Sequence, residues 1–401
     1  MGVDMTTIDG LLKRVYSSGS IENMQNMEAE TFPKLPKSAR KPKGDGFYFP
    51  VNVEGNQRGQ GSQNELEALR TPASQTPIQG RVRPKVFTHT IRYSGLSMEM
   101  AKGDEDSFAD NVTFQVDEGI KDSTKELNAQ VFRSGLGQIA QVNGDVTAST
   151  DLIFDNGCPT HFRVGQYIDV INAGVKEIDS IKISAIDIEN ATLTLASVQT
   201  CTDDMWVYRE NTADNAPADG KELAGLPMVV DDGSIAAAYE NINRTTYPNW
   251  DGFTIAGGGA SISNDLLQRG ESRVKVLAGR KVKKIISNTS QMRKYLDIVT
   301  PLKRFVDKKK MDSGVEEVPT WNGKEWVEDT DCPFDTLYMY DPDYFEKFEI
   351  YALKLDDNGG GTIKWDPGYD GFVSYLKYYG NTGSTNPRTM LAYTGLATPT
   401  F

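Results

Sequence analysis

The sequence predicts an α+β fold built from separate runs of strand and helix, and three observations carry that prediction. Two β-like stretches, "FYFPVNV" (Phe47–Val53) and "VRPKVFTHTIRYSG" (Val82–Gly95), flank a 26-residue polar segment, Gly55–Gly80. A long amphipathic helix is written between Asp106 and Ser134. Short strands crowd residues 151–212 and return, rich in aromatics, in the last third, an order unlike an alternating βαβ wheel.

A chain of 401 residues suggests two or three folding units. With 38% hydrophobic and 25% charged residues it is globular rather than disordered as a whole. A net charge of −13 disfavours general adhesion to nucleic acid or to an anionic membrane. Cys158, Cys201 and Cys332 have unrelated spacings, giving neither a disulfide framework nor a CxxC metal site, and suggest reduced thiols in a cytosol. The opening "MGVDMTTIDGLLKRVYS" has no secretory core, and no run approaches the roughly 18 apolar residues of a span, so no membrane partner is expected. Gly2 and Thr6 fit the myristoylation pattern, but no basic cluster or second lipid signal accompanies them.

Residues 1–46 read as an arm. Short helices fit "TIDGLLKRVYSSGSIENMQNMEAETF", whereas the prolines and glycines of "PKLPKSARKPKGDG" break regular structure. Such a segment packs on something else or stays mobile. In the second β-like stretch Phe87, His89, Ile91 and Tyr93 alternate with Val86, Thr88, Thr90 and Arg92, so one face holds most of the apolar mass. The two strands predict a hairpin over 47–95 with a projecting tip, 54–81. A structureless connection beyond about 12–15 residues is unusual in a compact domain. Half the excursion, about 13 residues, reaches roughly 40 Å when extended.

In the helix, Phe108, Val112, Val116 and Ile120 fall at steps of four, and Leu127 and Val131 continue the stripe. Asp104, Glu105 and Asp106 suit the positive end of the dipole, and Gly135 supplies a stop. The span of about 29 residues, roughly 43 Å, exceeds an ordinary helix, and its step-four spacing lacks a coiled-coil heptad.

Residues 151–212 read as an inserted small β-barrel or roll, built from "VGQYIDVI", "SIKISAIDI", "TLTLA" and "MWVYRE". Ile181, Ile183 and Ala185 alternate with polar residues, then the phase slips to Ile186 and Ile188, predicting a bulge or a strand end. Structural decoration is the preferred reading of this insert, ahead of binding. Beyond it, Ser261–Val306 holds helices joined by the strand-like "VKKIISN", and aromatic β-runs follow.

Between Arg269 and Met311 there are 14 Lys or Arg against three acids, a local balance of +11 that leaves −24 elsewhere. A solvated helical surface or a contact with an acidic neighbour is the first reading; a polyanion-binding patch at Arg280, Lys281, Lys283 and Lys284 is the second. Catalytic signal is absent. His89 and His161 are read as surface or packing residues, and His161 with Cys158 falls short of the three or four ligands of a zinc site. "AGGGAS" (Ala256–Ser261) and "DNGGGT" (Asp357–Thr362) lack phosphate-loop spacing and read as turns. No catalytic, metal or cofactor residue is therefore assigned.

The order of parts, with patches such as "IRYSGLSMEMAKGDEDSF" and "TTYPNW", resembles the major capsid protein of tailed bacteriophages, the Hong Kong 97-type fold shared with encapsulin shells. The resemblance runs through about 90% of the chain, with the insert as its variable part. It implies an N-arm over 1–46 and an extended loop over 47–95 that lies on a neighbouring subunit. Inter-subunit contacts are then expected at Gln57, Arg58, Glu65, Leu66, Leu69, Arg70 and Ile78. It also implies a peripheral domain over 96–150 with its spine helix at 106–134, an axial domain over 222–334, and late strands over 335–401 returning to the peripheral sheet. The implied function is an icosahedral head around double-stranded DNA bound without sequence specificity. Portal and scaffolding proteins would be separate, a decoration protein an additional partner, the host cytoplasm the place of assembly and the virion the destination. Some relatives crosslink through a loop lysine; Glu54 to Pro84 holds none, so the expected shell is non-covalent. An encapsulin-like compartment and a β-rich carbohydrate-active hydrolase are the rival readings.

Overall fold

The computed structural model describes residues 28–71, 74–96, 105–172, 174–212, 220–299, 320–357 and 361–398. Of the expected arm, 1–27 lies outside these residues. The remainder does not reach away but docks on its own chain. A single turn, α1 (Thr31–Lys34), offers its first backbone N–H groups to Asn128, whose Oδ1 accepts from Thr31 N at 3.1 Å and Phe32 N at 2.8 Å. Phe32 and Leu35 enter the main core. Ser38 N and Lys347 O then pair at 2.8 Å, as do Lys347 N and Pro36 O.

The hairpin pairs β1 (Phe47–Glu54) with β2 (Thr76–Val82), in register from Phe47↔Val82 to Val51↔Ile78. Its return strand is thus not Val82–Gly95, as the sequence suggested, and the tip shrinks to Gly55–Gln75. In β2 only Gly80 and Val82 are fully buried, so its composition reads as loop. Pro84, which has no N–H to donate, separates it from β3 (Lys85–Ser94), which joins another sheet.

Next comes α2 (Glu105–Val131), three residues shorter at its C-terminus than expected. Phe132 N and Arg133 N bond back to Ala129 O and Gln130 O in a tightened last turn, and Gly135 at φ 81 turns the chain away. The described part of the stripe faces a sheet and the core: Val116 and Ile120 pack with Ile91, Tyr93 and Leu376, while Leu127 and Val131 join the main core; the side chains of Phe108 and Val112 lie outside the described residues.

Six strands, β4 (Gln138–Val142), β5 (Val146–Gly157), β6 (Tyr167–Asn172), β7 (Val175–Asp187), β8 (Thr192–Cys201) and β9 (Trp206–Arg209), close into a barrel in the order β4-β5-β8-β7-β6-β9. It begins at Gln138, ahead of the boundary at 151 read from sequence, because β4 is short and the start of β5, "VTAST", carries little apolar mass. The slip read after Ala185 is found just before it, as a register shift against β8 between Ile183 and Ala185. Its own core includes Leu152, Ile168, Ile183, Leu193 and Val207.

The rest of the body contains α3 (Leu226–Val230), the two-residue strands β10 (Ala238–Tyr239) and β11 (Ile242–Asn243), β12 (Phe253–Ala256), α4 (Asn264–Ala278), β13 (Lys284–Ser287), α5 (Thr289–Val299), β14 (Thr320–Trp321), β15 (Lys324–Glu328), β16 (Leu337–Tyr340), β17 (Phe345–Leu355), β18 (Lys364–Trp365), β19 (Gly371–Ser384) and β20 (Leu391–Thr394). Ser263 caps α4 through Leu266 N at 3.2 Å, and Gly279 at φ 65 closes it. A six-stranded sheet runs β12-β20-β16-β13-β15-β14, and β3 pairs with β19 in a four-stranded sheet with β17 and β18. The late strands over 335–401 divide between these two sheets. β16, buried at all four positions, and β20 lie inside the six-stranded sheet, and β17–β19 join β3.

Candidate functional site

Two aromatic rings anchor the hairpin at its base: Phe47 meets Phe348 at 5.4 Å and Phe49 meets Trp250 at 6.2 Å between centroids. Ile78 belongs to this anchored part, half-buried against the main core rather than on the tip. Beyond Glu54 the tip folds on itself. Asn64 N bonds Glu67 Oε2 at 2.9 Å, Gln63 Nε2 reaches Ala68 O at 2.6 Å, and Arg70 Nη2 reaches Ser62 O at 2.7 Å. Leu66 is held at φ 67, a left-handed backbone that bulky side chains avoid. This turn leaves Leu66 at 101% and Leu69 at 89% relative exposure. Burying one leucine contributes roughly 1.5–3 kcal/mol, a gain this chain forgoes twice within four residues. Gln57, Arg58 and Glu65 are exposed beside them. Paired bare leucines on a tip braced by its own hydrogen bonds have the character of a contact surface.

The cationic run is spread across paired positions. Lys283 contacts Asp341 at 3.1 Å and also Asp343, Lys284 meets Glu325 at 2.7 Å, and the Arg280 guanidinium lies 5.7 Å from the Tyr344 ring. Lys281 is exposed. Two of the run's cations, Lys283 and Lys284, are thus answered by acids of their own chain, and the run's last part, 300–311, lies outside the described residues. These ion pairs are surface pairs, each contributing about 0–1 kcal/mol.

Sequence reasoning missed a buried ionic junction between α2, the barrel and the body. Arg133 Nη1 donates to Glu126 Oε1 and Glu222 Oε1, both at 2.9 Å, while Arg209 of β9 reaches Glu126 Oε2 at 3.0 Å. Beside Glu126, Lys125 pairs with Asp331 at 2.9 Å, and Asn128 Nδ2 bonds both Asp329 and Asp331. His161 donates from Nε2 to Asp331 O, 2.7 Å away. Burial pushes Glu126 up, but Arg133, Arg209 and Arg163 outweigh it and hold the carboxyl at about 2. Burial first, then the Arg133 charge, depress His161 to about 3, so this imidazole is neutral. Burial raises Asp331 to about 6, with Lys125 opposing. The spacing Lys125, Glu126, Asn128, Arg133 within a helix otherwise read for its apolar stripe was the available signal. His89 is likewise structural in character, its Nδ1 lying 3.0 Å from Ser123 Oγ.

Among the described residues, no three His, Cys, Asp or Glu are grouped to hold a metal, and no helix is long and apolar enough to cross a membrane. Gly258 and Gly259, at φ 59 and 72, form a tight turn. In "DNGGGT", 358–360 lies outside the described residues.

The chain is similar in structure to a chain of the cyanophage A-1(L) capsid asymmetric unit, with TM-score 0.58 and 9% identity, covering 97% of this chain and 99% of that one. Weaker likenesses are to the capsid of a native GTA particle (TM-score 0.49, 11% identity, 98% of each chain) and to Gordonia phage Cozz (0.48, 12%, 98% and 95%). No family model matches the chain, and no curated protein matches its sequence. The overall fold rests on the first likeness: it is the fold of a phage capsid chain.

Proposed function

We propose that this chain is the major capsid subunit of a tailed phage, assembling with copies of itself into an icosahedral head around double-stranded DNA, without enzymatic turnover. The observation that carries the reading is the hairpin tip: on a capsid-type fold, Leu66 and Leu69 stand bare on a turn braced by its own hydrogen bonds, as side chains awaiting a neighbouring copy would be. In this reading the tip laps the adjacent subunit and α2 is the spine of the peripheral domain. The six-stranded sheet with α4 and α5 forms the axial domain, and the barrel is an insertion between them open to a decoration protein. Portal and scaffolding proteins are separate chains, DNA is held without sequence preference, and assembly takes place in the host cytoplasm. The absence of lysine between Glu54 and Pro84 supports a shell closed by overlap rather than by isopeptide bonds.

Negative-stain microscopy of the expressed protein, with absorbance at 260 nm on particles recovered from an infected host, tests this. Closed shells rich in nucleic acid are expected. Shells filled with protein would indicate a cargo compartment instead, and a monomer with no particles under any assembly condition would remove the capsid reading.

A further inference from the structure

The last stretch of the arm crosses the base of the hairpin, and a groove of about 560 Å³ runs between the two. One wall carries Arg40, Lys41 and Lys43, and the floor is formed by Pro50, Pro77 and the half-buried Ile78. The wall is held in place: the Arg40 guanidinium lies 5.5 Å from the Phe49 ring, and Lys43 N donates to Gly46 O at 2.8 Å across a turn with Gly44 at φ 61. All three cations are exposed, and none has an ion pair among the described residues. The acid beside them in sequence, Asp45, is engaged instead by Tyr48, Arg81 and Arg83.

The tip of the same hairpin carries the complementary features. The bare Leu66 stands between the exposed Glu65 and Glu67, and the bare Leu69 follows. Arg70 is turned back onto Ser62 O, and Arg58 lies earlier in the tip. Within one chain, an acidic apolar edge and a cationic groove with an apolar floor are thus both left open to water. A phosphate backbone would answer the three cations but leave the prolines and both leucines wet. A second hairpin tip answers charge and apolar surface together.

We propose that this groove is the seat of the hairpin tip of a second copy, with Leu66 and Leu69 against Pro50 and Pro77 and Glu65 against Lys41 and Lys43. The proposal rests on the capsid reading and adds which part of the neighbour receives the tip. Tip and groove are different patches of one chain, so the contact is head-to-tail, and contacts of that kind close into rings when the rotation allows. The arm then holds a neighbour's hairpin as well as crossing its own.

The experiment is crosslinking, with a short bis-maleimide, of shells assembled from the full chain carrying Leu66→Cys and Gln79→Cys, the latter beside Pro77 in the groove. Cys158, Cys201 and Cys332 are buried and give little background. A ladder of linked chains is expected on denaturing gels, with at least tenfold less product when Leu66→Cys is combined with Val198→Cys, an exposed position on the barrel. Separately, Lys41→Glu with Lys43→Glu should slow assembly at least fivefold by light scattering at an unchanged melting temperature, and adding Glu65→Lys should recover part of the rate. Shells that give no more product than the Val198→Cys control would overturn the proposal and leave the capsid reading standing. Failure of the unaltered chain to form any shell would remove that reading, and the seat with it. Charge-reversed chains that assemble at the normal rate but retain less DNA would also overturn the proposal, assigning the groove to phosphate. If the double-cysteine chain does not assemble, the charge-reversal rates decide.

Discussion

Gly80 lies under the ring of Phe49: a Cβ added to Gly80 would fall 2.5 Å from Phe49 Cζ. That contact lets β1 and β2 close over the core, and it explains a glycine inside a strand on grounds of space. Gly80→Ala should cost about 1–3 kcal/mol in urea unfolding, the range for overpacking a filled site. Phe49→Leu in the same chain should recover part of it. If the pair of changes is simply additive, the ring is not the cause.

The hairpin tip separates folding from association. Changing Leu66 and Leu69 to Ser together should leave the unfolding midpoint within about 0.5 kcal/mol, as exposed substitutions do. Particle formation followed by light scattering should fall steeply. Normal shells from the double variant would remove these leucines from the interface.

At the ionic junction, Arg133→Met leaves Glu126 and Glu222 buried without their shared partner, and a loss of about 3–5 kcal/mol is expected. Adding Glu126→Gln and Glu222→Gln should restore much of it. Alkylation of Cys158 offers a local readout, since burial holds this thiol up at about 12 and keeps it unreactive. Faster labelling in Arg133→Met than in the triple variant is the expected order.

Acid should loosen the same junction, with opposing contributions. His161 is held at about 3 from an ordinary 6.5, so its contribution is full above pH 6.5 and is lost as pH falls toward 3. Glu126, held at about 2 from 4.5, contributes above pH 4.5 and loses this as pH falls toward 2. Asp331, raised to about 6 from 3.8, acts the other way and favours the folded chain as pH falls through 6 to 3.8. Melting temperature should therefore decline gently between pH 6.5 and 4 and steeply below 4. A profile that keeps falling at one slope across the whole range would show that these groups do not govern it.

The large outlines were readable because they rest on periodicity. The step-four stripe of Val116, Ile120, Leu127 and Val131 does pack on a sheet and the core, and the slip beside Ala185 is present in the ladder. What escaped was set by tertiary partners. β2 has polar composition yet pairs along its length with β1, and Phe32 finds its burial in the body rather than in a separate arm. The return of β16 and β20 to the six-stranded sheet depends on which strand lies alongside, which local pattern does not encode. Of the surface residues, Gln57, Arg58, Glu65, Leu66, Leu69 and Arg70 are exposed in the single chain. The pairing of Lys283 and Lys284 with their own acids was not legible, because Asp341 and Glu325 are far off in the chain.

In the barrel, β4 and β9 lie side by side, with Gln138 opposite Tyr208 and Gln141 opposite Trp206. The chain thus departs and rejoins at one doorway, while His161 and Arg209 tie the near end of the unit to the body. Foreign sequence spliced at its far turns, rather than in place of the whole unit, would leave the body's own wiring untouched.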